Sequence, residues 1–137
     1  MKTKNTLLAL ALIVLFGFTK NESADYPKIE KGMIKMTIFY PNTEDATFNM
    51  DYYINNHMAM AANLMGDDLK AMMIDKGLSG GAPDSPSPYV AVGYFYFESM
   101  EAFQKAMGPI SDKLKADVPN YTNIQPVIQF SEVKTVQ

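Results

Sequence analysis

The sequence predicts an α+β fold in the order β-α-β-β-α-β, and three observations carry that prediction. Two stretches repeat apolar residues at the helical period: Asn49 to Met65, and the segment that opens at Ser99. Four shorter runs are rich in β-branched and aromatic residues and are bounded by glycine, proline or asparagine. The two clearest of these runs are apolar on both faces, which decides how the sheet must be covered.

A chain of 137 residues makes one domain. Its start has the layout of a secretory signal peptide: Lys2 and Lys4, an apolar run from Leu7 to Phe18, then a polar stretch ending in Ser23-Ala24. That run is too short to span a membrane. Ala24 suits cleavage, whereas Glu22 fits poorly two positions earlier; a retained N-terminal membrane anchor is the alternative. Residues 1–24 are therefore read as a leader of an exported, periplasmic or secreted protein, 25–32 as a polar lead, and 33–137 as the domain. Without cysteine there is no disulfide and no thiol for lipid attachment, so the domain stands on its core alone. Removing the leader leaves 9 basic and 14 acidic residues, a net charge near −5, and every basic residue is a lysine. With no arginine and no basic patch, nucleic acid is not expected as a partner.

The first strand is Met33 to Tyr40, ended by Pro41-Asn42. The loop Thr43 to Phe48 leads into the first helix, Asn49 to Met65, which Asn49 can cap, Asp51 favours in its first turn and Gly66 stops. At 100° per residue, Met50, Tyr53, Ile54, Met60, Ala61, Leu64 and Met65 gather on one side, with His57 near the middle of the stripe. His57 is the only histidine in the chain. It is read either as a satisfied core residue or as an imidazole facing a ligand cavity, and helical position does not separate the two.

Lys70 to Lys76 forms a second strand. Gly77 to Pro88 is a loop of 12 residues with three glycines and three prolines, either a plain hairpin tip or the border of a site. Tyr89 to Phe97 is the third strand. Ser99 caps a helix carrying Met100, Phe103 and Met107 and ending at Gly108-Pro109; Ile110 to Ala116 makes a short further helix. After a turn at Pro119 to Asn123, Pro126 to Val133 is the last strand.

Two right-handed crossovers in this order give a ferredoxin-like, four-stranded antiparallel sheet with the helices on one face. In the third strand Tyr89, Ala91, Gly93, Phe95 and Phe97 point one way and Val90, Val92, Tyr94 and Tyr96 the other. Only one face has helices to bury it, and an uncovered apolar face of several hundred Å² marks an interaction surface. A second copy packed sheet to sheet satisfies it, so a homodimer is expected.

Three runs resemble the EthD family of the dimeric α+β barrel superfamily: residues 33–58, residues 75–109 and residues 117–133. The resemblance implies a protomer that dimerises through its sheets, with a pocket between sheet and helices. It also implies substrates that are small and mostly apolar or aromatic, as for the superfamily's isomerases, cyclases and cofactor-free monooxygenases. The family's histidine falls on His57, its Asp-Tyr-Tyr on Asp51, Tyr52 and Tyr53, its Lys-Gly on Lys76 and Gly77, and its Asn-Tyr on Asn120 and Tyr121. Two features depart from the pattern: Ala59 stands where the family usually has proline, and members are mostly cytoplasmic. Export would separate this chain from nicotinamide and flavin pools, which weakens the family's nominal reductase label.

On these grounds the first functional reading is cofactor-independent acid/base chemistry on a small hydrophobic molecule. His57 and Tyr53 are its expected catalytic pair, and Tyr52, Lys76, Tyr94, Tyr96, Asn120 and Tyr121 its expected substrate contacts. No dinucleotide fingerprint, Walker loop or nucleophile elbow is present, so no cofactor is expected. Asp51 lies about 120° from His57 around the helix and is read as a dipole residue rather than a partner. The second reading is a binding protein without catalysis, using the same pocket. A third, copper(I) held by His57 and some of the 11 methionines, is weak: the methionines fit core stripes, and His57 and Met58 point apart.

Overall fold

The computed structural model describes residues 28–137, so the leader expected over 1–24 lies outside the described residues. The strands are β1 (Ile34–Pro41), β2 (Ala71–Lys76), β3 (Tyr89–Phe97) and β4 (Val127–Glu132). They form one antiparallel sheet in the order β2-β3-β1-β4, the ferredoxin-like order. Ile38 of β1 sits between Gly93 of β3 and Ile128 of β4, and Ile74 of β2 lies beyond Gly93.

The first helical element is not one α-helix. It starts as α1 (Met50–Tyr52), becomes a π-helix over Tyr53–Met58 and returns to α2 (Ala59–Met65). The Asn49 side chain accepts from the Tyr52 amide at 3.0 Å, and Gly66 ends the element with φ of +55°, a conformation suited to glycine. The π turn corrects the expected stripe. Bonds from i to i+5 fit more residues into a turn, so residues five apart fall into line. Tyr53 and Met58 are accordingly both fully buried, while Ile54 and Leu64, placed inward by strict α-periodicity, are 42 % and 37 % exposed.

Helix α3 (Met100–Met107) is capped by the Ser99 hydroxyl, which accepts from the Ala102 amide at 3.1 Å. After Gly108 to Ile110 comes α4 (Ser111–Asp117), then a 3₁₀ turn over Val118–Asn120 with Pro119 inside it. The helices cover the sheet face that carries Met36, Ile38, Tyr40, Ala91, Phe95 and Phe97, all buried. Gly93 belongs to this face because a Cβ there would collide with the Tyr53 hydroxyl. The helix layer leaves β4 partly open: Ile128 and Phe130 pair with Ile38 and Met36 on the covered side yet are 51 % and 42 % exposed.

Candidate functional site

An apolar cavity of about 280 Å³ lies between the sheet and the helices α3 and α4, opening toward β4. Met36, Ile38, Phe95, Phe103, Met107, Leu114, Ile128 and Phe130 form its walls. The polar groups that reach it are few: Tyr40, His57 and Tyr121 toward the C-terminal end of β1, and Ser111 and Lys115 on α4. A second hollow of about 700 Å³ lies outside the Asn120–Tyr121 turn, but it is more open to solvent and His57 does not reach it.

The π turn carries His57 inward, where only 6 % of it remains exposed. Its Nδ1 lies 2.8 Å from Oδ2 of Asp117, the last residue of α4. A negative charge at a helix C-terminus is unfavourable by itself, so Asp117 depends on donors. It has three: His57, the Tyr52 hydroxyl donating at 2.9 Å and the Asn120 amide donating at 2.8 Å. Burial works to raise the Asp117 pKa, but these hydrogen bonds and the charge of His57 outweigh it and hold the carboxyl below its ordinary value. An ionised Asp117 accepts the Nδ1 proton, which leaves Nε2 of a neutral His57 bare. Nε2 has no hydrogen-bond partner among the described residues.

Aromatic rings enclose the imidazole. Tyr53 stacks on it with ring centres 5.8 Å apart, and Tyr121 lies across it at 4.6 Å. The Tyr121 and Tyr40 hydroxyls form a buried hydrogen bond of 2.8 Å. Burial pushes the pKa values of Tyr40, Tyr53 and Tyr121 above that of a free phenol, so all three remain neutral hydroxyls.

The residues anticipated from sequence therefore separate into groups. His57 and Tyr121 line the cavity. Tyr52 and Asn120 stand behind it and hold Asp117. Tyr53 braces the imidazole, but its hydroxyl is buried without a hydrogen-bond partner and does not line the cavity.

Tyr94 and Tyr96 must be reassigned. They pair with Thr37 and Lys35, one position out of phase with Ile38 and Met36, and so project from the opposite face of the sheet. Lys76 is exposed at the end of β2 and does not line the cavity either, nor does any residue of the Gly77 to Pro88 loop. Asp51 stays in the first turn of α1, as its dipole role requires.

Asp117 and Tyr40 are the residues that sequence reasoning missed. Asp117 lies 60 positions from His57, and only the fold joins them. Its one visible signal was a carboxylate at the C-terminal end of a short helix, just before the matched Asn120-Tyr121. Among the described residues, no three His, Cys, Asp or Glu side chains come together as metal ligands would.

A model of the EthD domain matches residues 41–125. Among solved structures, an EthD-like protein from Ralstonia eutropha JMP134 is 38 % identical, with a TM-score of 0.74 over 79 % of this chain and 97 % of that one. An ethyl tert-butyl ether D family protein from Bacillus halodurans C-125 is similar in fold, at 19 % identity and a TM-score of 0.51 over 73 % of this chain and 97 % of that one. So is a hypothetical protein of Arabidopsis thaliana, at 17 % identity and a TM-score of 0.51, over 80 % and 96 % of the two chains. No curated protein matches. The domain match spans well over half of the chain and the Ralstonia protein aligns along almost its entire length, so this chain belongs to the EthD family.

Proposed function

We propose that the protein binds a small apolar or aromatic molecule in the cavity and moves a proton on it at His57, without a cofactor. The observation that carries this reading is the arrangement of His57. Its ring borders an apolar cavity while Asp117 holds its Nδ1 at 2.8 Å. Asp117 fixes the tautomer that makes Nε2 a base and stabilises the imidazolium once the proton has arrived. The apolar walls supply binding energy without competing for the proton.

The test is an NMR titration of the single imidazole in the protein without a histidine tag. Under this reading the His57 resonances move with small aromatic ligands. His57→Asn keeps binding within a few fold and loses any turnover of isomerisable lactones or aromatic ketones. An imidazole blind to all such ligands across pH 5 to 8 would reduce His57 to a core residue. Saturable binding with no product from any of these compounds would make the protein a carrier rather than an enzyme.

Two further parts of the reading concern the molecule as a whole. We propose a homodimer packed through the sheet face that the helices leave open, where Met73 and Val127 are 44 % and 55 % exposed beside the half-buried Val92 and Phe39. We also propose export, on the leader-like residues 1–24; N-terminal sequencing of the mature protein checks it.

A further inference from the structure

The cavity is apolar along most of its length, but its polar end has a composition that an apolar hydrocarbon would not need. Tyr40 and Tyr121 are 2 % and 3 % exposed, both line the cavity, and their hydroxyls hydrogen-bond to each other at 2.8 Å. Two hydroxyls bring two protons, and their mutual bond uses one. The second makes no hydrogen bond among the described residues: the Tyr53 hydroxyl beside Tyr40 is not in bonding geometry. A buried donor left unmet is unfavourable, so this end of the cavity is built for an acceptor atom. His57 stands beside the pair, with its ring centre 4.6 Å from that of Tyr121.

We propose that the ligand is an apolar carbonyl or phenol compound whose oxygen takes a hydrogen bond from the Tyr40–Tyr121 hydroxyl pair, its hydrocarbon body lying between α3, α4 and β4. The assignment rests on the cavity reading above and names the class of molecule that the cavity selects. A single buried donor pair discriminates strongly against a compound that lacks the acceptor, because the pair is then left unmet. Lys115 and Ser111, the other polar groups of the lining, sit on α4 rather than beside the imidazole.

The pair also suits what His57 would do. When Nε2 takes a proton from a carbon next to the carbonyl, the C–H electron pair becomes the new C=C bond. The C=O π pair then moves onto oxygen, where the hydroxyl pair meets the growing negative charge. In a β,γ-unsaturated carbonyl compound the imidazolium then returns the proton to the γ carbon. The oxygen pair re-forms C=O, the enolate C=C pair moves between the α and β carbons, and the old β,γ pair takes the proton, so nothing is oxidised or reduced.

An apolar cavity of about 150 Å³ holds a benzene ring, so this one has room for two fused rings. The probes are therefore naphthalene and 2-naphthol, followed through the His57 resonances of the full-length folded protein. One added hydroxyl makes 2-naphthol the better solvated of the two, so hydrophobic burial alone would favour naphthalene. The expected result is that 2-naphthol binds about tenfold tighter than naphthalene. Replacing both tyrosines, Tyr40→Phe with Tyr121→Phe, should bring the ratio to one or below while naphthalene affinity stays within about threefold.

Equal or weaker binding of 2-naphthol to the native protein overturns the donor assignment and leaves the apolar cavity standing. A preference that survives in the double variant overturns it as well. If neither compound moves the His57 resonances, the cavity reading falls and this inference falls with it. If the double variant does not fold, 2-methoxynaphthalene, which accepts a hydrogen bond but cannot donate one to Nε2, decides the matter on the native protein: binding tighter than naphthalene upholds the donor pair, and equal or weaker binding overturns it.

Discussion

The two faces of the sheet carry similar side chains and put them to different use. On the covered face Tyr40 and Tyr121 bond to each other, and His57 meets a carboxylate, Asp117, in surroundings where the His57 and Asp117 side chains are only 7 % and 15 % exposed. On the open face Tyr94 donates to a carboxylate as well, Asp75, at 2.8 Å, and the Lys35 ammonium sits 5.8 Å above the Tyr94 ring. Asp75 is exposed, so water competes for every bond it makes. Partial burial and the neighbouring Asp75 push the Tyr94 pKa up to about 12, which leaves it an inert hydroxyl at ordinary pH. Residue type is therefore a poor guide to chemistry here. What separates the faces is whether helices exclude solvent and whether an acid and a base are brought together.

Substitutions on the two faces sharpen that contrast. The largest effect is expected at Asp117. Asp117→Ala leaves His57 and Tyr52 without an acceptor and Asn120 with only the Tyr52 hydroxyl, and should lower stability by about 2–4 kcal/mol, read by urea unfolding. A loss below 1 kcal/mol would mean that the covered face is no more demanding than the open one. Gly93→Ala comes next, at about 1–3 kcal/mol, because its Cβ would meet the Tyr53 hydroxyl. Combining it with Tyr53→Phe should recover most of that loss, and additive effects would show that the two residues do not collide.

Acid unfolding gives a third comparison. The folded Asp117 pKa lies below its ordinary value, so the group stabilises the protein fully above the unfolded value of about 4. This contribution is lost as pH falls from there through the folded pKa. The stability curves of native protein and Asp117→Asn should consequently keep a constant separation above about pH 4 and draw together as pH falls below it. Parallel curves would remove Asp117 as the titrating group.

Tyr53→Phe alone deletes a buried hydroxyl that bonds to nothing, and should change stability by between zero and about 1 kcal/mol in the favourable direction. The smallest effect is expected on the open face. Tyr94→Phe should cost no more than about 0.5 kcal/mol. The open face should respond in association instead: Val92→Lys ought to shift the protein from dimer to monomer in light scattering while its circular dichroism is unchanged. A native protein that is monomeric at every concentration would end the dimer proposal.

The sequence by itself determined the elements. Its content of β-branched and aromatic residues placed β3 over Tyr89–Phe97 without error, and Asn49, Ser99 and Gly66 marked helix ends because capping chemistry is local. It also singled out His57 and, through the family's Asn-Tyr, Tyr121. Tertiary structure decided the rest. The π turn is set by packing against β3 and not by any local propensity, which is why Met58 went inward and Ile54 outward. Tyr94 and Tyr96 could be paired with each other from the period of two, but which face the helices would cover is a property of the crossovers. The Asp117 partner of His57 is separated from it by 60 positions, and the Tyr40–Tyr121 bond joins residues 81 apart. Hydrogen bonds of that reach leave no mark on spacing, so chemistry that depends on them becomes legible only once the chain has closed on itself.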